Sequence, residues 1–179
     1  LQENIRNIFN VPTNYFTLFL QGGATFQNTF IANNFDKRDK DLGCLVTGTW
    51  GKNTFDDFSK IRETKLIELS QDQIENFVES GEDLKNVDYL HLTSNETING
   101  VQLREFNKIN HDSLLIDMSS DIGSYRFEWD NIAYIYAGAQ KNMGIPGVSI
   151  CIGDEKHLNS GDNSKYLNIG QLVEKKSLL

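Results

Sequence analysis

Basic residues, cysteine and histidine are all scarce in this chain, and each shortage removes a class of function. Lys and Arg total 17 against 25 Asp and Glu, a net charge of −8. A general nucleic-acid binder needs a basic surface to neutralise phosphates, so that class is excluded, although a local pocket for one phosphate is not. The two cysteines, Cys44 and Cys151, each lie inside an apolar run. That placement predicts buried free thiols rather than a disulfide or thiolate metal site. His91, His111 and His157 are too scattered to offer a metal-ligand spacing, so no metal is expected. No apolar run is long enough to cross a bilayer, and no basic-then-apolar leader opens the chain. The expected setting is the cytoplasm, without a membrane partner. The first residue is Leu rather than Met, which predicts a partial or trimmed chain. There is no internal repeat and no low-complexity tract.

What is present suits one folded domain: 179 residues, 39% hydrophobic and 11% aromatic. Residues 1–10 place Ile5, Ile8 and Phe9 on one helical face, and the helix should stop before Pro12. Seven short apolar runs follow, at 16–20, 42–46, 65–69, 89–92, 114–116, 132–136 and 148–152. Helical stretches separate most of them, near 26–33, 53–60 and 71–79, the last closed by Gly81. Strands alternating with helices predict an α/β fold, a seven-stranded mostly parallel sheet with flanking helices. Too few residues join the last two runs for a crossover helix, so the last strand is expected to be antiparallel. From Asp154 onward the chain is polar. Gly161–Lys165 reads as a loop and the remainder as a weak helix or linker, dividing the chain into a domain over 1–158 and a linker over 159–179.

In open parallel sheets, ligands bind beyond the carboxyl ends of the strands, and five groups of interest fall there. A Gln21-Gly22-Gly23-Ala24-Thr25 turn leads into a helix, presenting free backbone N–H groups to an anion. Trp50, between glycines, offers a flat stacking face or simply caps the core edge. Thr97 lies in the polar loop 93–100. Asp117 ends a buried strand, either as a ligand-reading carboxylate or as a turn acid. Lys141 sits in Ala137-Gly138-Ala139-Gln140-Lys141-Asn142, between two apolar strands. Alone it suits a solvated loop lysine as well as a nucleophilic amine that bonds a carbonyl. Together the five match the parts of pyridoxal 5'-phosphate: phosphate, flat ring, phenolic oxygen, ring nitrogen and aldehyde.

The segments Asn95–Gly100, Asp117–Ser120, Tyr136–Asn142, Val11–Tyr15, Gln21–Gly23 and Thr47–Trp50 resemble, in order, those of the phosphoserine aminotransferase family, within the class-V pyridoxal-phosphate aminotransferases. The resemblance extends to about Leu158. It implies the large domain of fold-type I transferases, with Lys141 bonding the cofactor and shuttling a proton. It implies further that Asp117 pairs with the pyridine nitrogen, Trp50 stacks on the ring and Thr97 bonds the phenolic side. Gln140 and the backbone at Ala24 and Thr25 would hold the phosphate. The implied reaction moves an amino group from glutamate to 3-phosphohydroxypyruvate in serine biosynthesis, within a homodimer.

Three departures stand beside it. Ala24 and Thr25 occupy positions where the family usually has a third glycine and often an arginine, and 123–129 lacks the family's proline pattern. The family's substrate-reading arginines and second domain have no counterpart here, so the chain alone is expected to be inactive. The competing readings are a non-catalytic α/β domain that binds a ligand or partner, and another class-V enzyme.

Overall fold

The structure is a computed structural model that describes residues 1–35, 41–80, 84–158 and 164–177. Helix α1 (Gln2–Phe9) leads to β1 (Tyr15–Gln21), α2 (Gly23–Asn34), β2 (Asp41–Val46), α3 (Thr49–Ser59) and β3 (Thr64–Glu68). A 3-10 turn over Gln71–Gln73, closed by a Ser70–Gln73 capping box, opens α4 (Ile74–Ser80). Next come β4 (Val87–Thr93), a small hairpin of β5 (Asn95–Glu96) and β6 (Val101–Gln102), then β7 (Leu114–Asp117), β8 (Ile132–Gly138), β9 (Val148–Asp154) and α5 (Ile169–Glu174). Gly81, expected to close the helix before it, and 161–163 of the expected loop lie outside the described residues.

Seven strands form one sheet in the order β1-β9-β8-β7-β4-β2-β3. Strand β9 is antiparallel to both neighbours, and the remaining pairs are parallel. This is the architecture expected from the sequence, with one addition: the antiparallel strand is inserted inside the sheet, between β1 and β8.

Side chains alternate between two covered faces, which explains the near-continuous apolar runs. On one face Leu18, Cys44, Tyr89, Leu115, Tyr134, Tyr136 and Cys151 pack against Phe30, Ile31 and Phe35 of the α2 region and Phe58 of α3. On the other, Leu45, Leu90, Leu92, Leu114, Ile116 and Ile135 pack against Phe77, Leu84 and Phe106. Both cysteines are buried free thiols, as expected.

The tail contributes to the same core. Ile169 and Leu172 of α5 are buried with the first face, and Asn34 Oδ1 accepts from the Ile169 N–H at 3.0 Å. At the other end, the Arg6 guanidinium donates to the Tyr15 and Pro12 carbonyls and fixes α1 on β1. Ile5 is buried there, but Ile8, expected on the same inner face, is 65% exposed because α1 meets the core over a narrow stripe. No helix among the described residues is long and apolar enough to cross a membrane.

Leu115 is fully buried between the β7 neighbours and the helical layer. Leu115→Ala should cost about 3 kcal/mol, the usual cost of a core leucine truncation. Ile98→Ala, at a 64% exposed position, should stay within about 0.5 kcal/mol. Urea unfolding of both variants checks this; equal losses would contradict the assignment of core and surface.

Candidate functional site

A cleft of about 690 Å³ opens at the carboxyl ends of β1, β2, β4, β7 and β8, within the size range of small-molecule sites. Ala24, Thr25, Trp50, Asp117, Gln140 and Lys141 all line it. Thr97 does not. It stands behind Trp50, accepting from the indole Nε1–H at 3.0 Å.

The β1–α2 turn forms one wall. Gly22 (φ 97°) and Gly23 (φ 65°) adopt left-handed conformations that glycine takes without strain. Helix α2 begins earlier than the sequence suggests, so Ala24 and Thr25 belong to its first turn. No side chain caps that terminus and no acidic residue sits in its first turn. Its N–H groups and positive dipole end therefore face the cleft without a built-in anion.

Trp50 was expected in a loop preceding the helix near 53–60. Helix α3 instead starts at Thr49, so Trp50 sits in its first turn. The Trp50 and Gly51 N–H groups donate to the two oxygens of Glu96 at 2.9 and 2.7 Å. Glu96 belongs to the stretch expected as a polar loop, which is partly the β5–β6 hairpin. The Lys141 Nζ lies 5.5 Å from the Trp50 ring centroid, within cation–π range. Lys141 is exposed toward the cleft. Its loop is braced by Asn142 Nδ2 donating to the Ile122 carbonyl at 2.6 Å, and by the Gly22 N–H donating to Gly147 O at 3.2 Å.

Asp117 ends β7 beside Thr93 of β4 and Tyr136 of β8. Its Oδ1 accepts from the Ser119 N–H at 2.8 Å. Burial raises its carboxyl above the ordinary carboxylate value; the Ser119 bonds and the Lys141 charge pull it partly back. Ser119 Oγ in turn accepts from the Gly138 N–H at 3.0 Å, tying Asp117 to the strand that precedes Lys141.

Beneath the cleft lies a polar network absent from the sequence-based expectations. Asn28 Nδ2 donates to Asp57 Oδ2 at 3.1 Å, and Tyr136 OH donates to Asn28 Oδ1 at 3.3 Å. Tyr136 OH also pairs with His91 Nε2 at 3.1 Å. Burial pushes His91 down to about 3, so it is neutral at physiological pH. Thr93 Oγ1 is buried and has no partner, although Thr93 lines the cleft. Of these residues, His91 figures in the sequence only as one of three scattered histidines, and Thr93 only as the start of the polar loop 93–100. Asn28, Asp57 and Tyr136 are joined by contacts that no local pattern shows.

An open parallel sheet with one inserted antiparallel strand, and a lysine, a carboxyl and an uncapped helix terminus at one rim, is the large-domain architecture of fold-type I transferases. The chain belongs to the aminotransferase class-V family, whose model matches residues 1–178. It is 40% identical over 155 residues to a phosphoserine aminotransferase of Geobacillus kaustophilus, covering 84% of this chain and 42% of that protein. A solved phosphoserine aminotransferase from Bacillus circulans subsp. alkalophilus matches with a TM-score of 0.88 and 33% identity, over 98% of this chain and 50% of that one. A phosphoserine aminotransferase from Trichomonas vaginalis, solved with PLP bound, matches with a TM-score of 0.83 and 26% identity, over 99% of this chain and 55% of that one. The chain thus spans about half the length of these relatives.

Asp117 gives a pH-dependent prediction. Its carboxyl titrates from 3.8 when unfolded and at a higher value when folded. Its contribution to stability is therefore intact below 3.8 and is lost as the pH rises through the folded value. Asp117→Asn removes that loss and should raise the Tm of the ligand-free chain at pH 7. The gain should vanish as the pH approaches 3.8. Thermal scans across pH check it; an unchanged or lower Tm at pH 7 would refute the burial cost.

Proposed function

We propose that this chain is the cofactor-binding part of a phosphoserine aminotransferase, with pyridoxal 5'-phosphate held in the cleft between Trp50, Asp117 and Lys141. One observation carries the reading. The Lys141 amine, the Trp50 ring and the raised Asp117 carboxyl converge where the uncapped start of α2 opens. The residues present fit such a group: an anion-ready helix terminus, a flat stacking face, a half-buried acid and an unpartnered Thr93 hydroxyl.

When bound, the cofactor supplies an aldehyde that captures amines and a ring that accepts the electron pair left by a departing proton. The first turn of α2, with Ala24 and the Thr25 hydroxyl, holds the phosphate by backbone N–H groups and dipole, where an arginine is absent. Gln140 borders the same cup. Trp50 orients the ring from one side and shields it from water. Asp117 keeps one oxygen on the Ser119 N–H and offers the other to the ring nitrogen, holding a proton there. Thr97 sets the plane of the indole, and through it the ring's seat. Lys141 Nζ would hold the cofactor at its aldehyde, and the same amine would serve as the group that accepts and returns a proton.

The relatives' name, phosphoserine aminotransferase, supports amino transfer involving phosphoserine, as in serine biosynthesis; glutamate as donor and 3-phosphohydroxypyruvate as acceptor are the pair we propose for it. A homodimeric, cytoplasmic full-length protein belongs to the same proposal. The expected boundary near Leu158 is not part of this reading, because Ile169 and Leu172 of α5 pack into the same core as the sheet. Substrate clamping and transamination then require the full-length protein.

Incubation with pyridoxal phosphate should give a visible absorbance band. Borohydride should fix the cofactor on Lys141, as read by peptide mass spectrometry, and Lys141→Ala should abolish both signals. No band, or label spread over surface lysines, sinks cofactor binding and favours a non-catalytic domain. In the full-length protein, Asp117→Ala should lower turnover of glutamate with phosphohydroxypyruvate at least about a hundredfold. Preference for alanine and glyoxylate over that pair would assign a different class-V enzyme.

A further inference from the structure

We propose that Glu96 is a positioning residue that holds Trp50 in place as a wall of the cleft, an inference that rests on the cofactor reading above. Helix α3 has no cap of its own: Gly48 occupies the N-cap position, and no acidic residue lies in the first turn. Glu96 does that work from the β5 hairpin. Its side chain is completely buried, and its two oxygens accept from the Trp50 and Gly51 N–H groups. A carboxylate there satisfies two helix-end donors and complements the helix dipole.

The surrounding sequence is shaped to admit it. A Cβ at Gly48 would meet Glu96 Cδ at 2.6 Å, and one at Gly51 would meet Oε1 at 3.2 Å. The next residue, Thr97, takes the indole Nε1–H. Two consecutive residues therefore grip one tryptophan, Glu96 by its backbone and Thr97 by its ring. The hairpin that presents them is itself fixed. Gly100 N–H donates to Glu96 O at 2.8 Å, Leu103 N–H to Ser94 O at 2.8 Å, and Asn95 Nδ2 to Ser120 Oγ at 3.0 Å. Trp50 is 42% exposed, so core packing alone does not order its ring. An aromatic wall that moves loses part of its stacking energy to entropy each time a ligand binds.

The test uses 5-fluorotryptophan in the ligand-free chain, whose two tryptophans, Trp50 and Trp129, give two fluorine resonances. Trp129 lies among different neighbours, with its indole donating to Phe9 O, and serves as an internal control of folding. Glu96→Gln keeps the shape but offers an NH2 group to one of the two N–H donors. The Trp50 resonance should shift and broaden while that of Trp129 stays, and the Kd for pyridoxal phosphate should rise about tenfold. An unmoved Trp50 resonance overturns the proposal, as does a moved resonance with unchanged affinity. If Glu96→Gln disturbs Trp129 as well, Glu96→Asp decides by the same comparison, since its shorter carboxylate keeps the charge but withdraws from both N–H groups. A wild-type chain that takes up no pyridoxal phosphate overturns the cofactor reading instead, and the Trp50 resonance still judges the clamp.

Discussion

A single antiparallel strand sets the geometry of the site. Because β9 runs against both β1 and β8, those two strands are parallel to each other and end at the same edge of the sheet. The turn after β1 and the loop after β8 therefore open on one side, although more than a hundred residues separate them in sequence. The return from β8 into β9 is too short to wander. It passes beside the glycine turn, where the Gly22 N–H finds the Gly147 carbonyl at 3.2 Å, and the Ala139 N–H finds Val148 O at 2.8 Å. A βαβ crossover in the same place would have carried the lysine loop away over one face of the sheet. The hairpin keeps the amine of Lys141 and the uncapped start of α2 within one cleft.

The floor of that cleft is polar where the rest of the sheet is apolar. His91, Thr93, Tyr136 and Asp117 occupy the positions nearest the carboxyl ends of β4, β8 and β7, on the face otherwise filled by Tyr89, Leu115 and Tyr134. Such a patch is costly unless its members satisfy one another. Asn28 bonds both Asp57 and Tyr136, and Tyr136 bonds His91, so most of the patch is self-contained. The cost is concentrated at two places, the raised carboxyl of Asp117 and the unpartnered hydroxyl of Thr93. Both border the cleft. Polar groups left unsatisfied at a ligand-facing surface are stability set aside for binding, as at functional sites generally.

How much of this was legible in the sequence follows from range. The seven strands, the parallel majority and the antiparallel last strand were readable because each depends on local periodicity and connection length. Lys141 and Asp117 were readable because each falls where a strand pattern breaks, and Trp50 because it follows one closely, although it belongs to the first turn of α3. The buried Asn28–Tyr136–His91 chain was not, since its members lie on α2, β8 and β4 and only the fold brings them together. Ile8 shows the opposite error. Its spacing suits an inner helical face, but α1 rests on the core along too narrow a stripe to cover it. The stretch 93–100 looked like a loop by composition because its hairpin is only two residues deep on each side.

The glycines near the site sharpen that distinction between local and distant causes. Gly22 and Gly23 are explained by their own backbone, which takes left-handed angles at the entry to α2. Gly48, Gly51 and Gly138 are not among the residues with positive φ. Their Cβ positions are taken by other groups: Glu96 at Gly48, Glu96 together with the Leu45 and Val46 backbone at Gly51, and Gln140 at Gly138, where a Cβ would meet its Oε1 at 2.7 Å. These five glycines look alike in the sequence, each close to a strand end. Of the five, Gly22 and Gly23 are there for the turn, as is Gly147 (φ 92°) in the lysine loop. The other three make room for a carboxylate under Trp50 and for an amide folded back beside Lys141, so the Gly-Thr-Trp-Gly motif depends on a glutamate nearly fifty residues away. Its meaning lies in the pair, because an alanine at Gly48 would displace Glu96 and leave the first N–H groups of α3 without their acceptor.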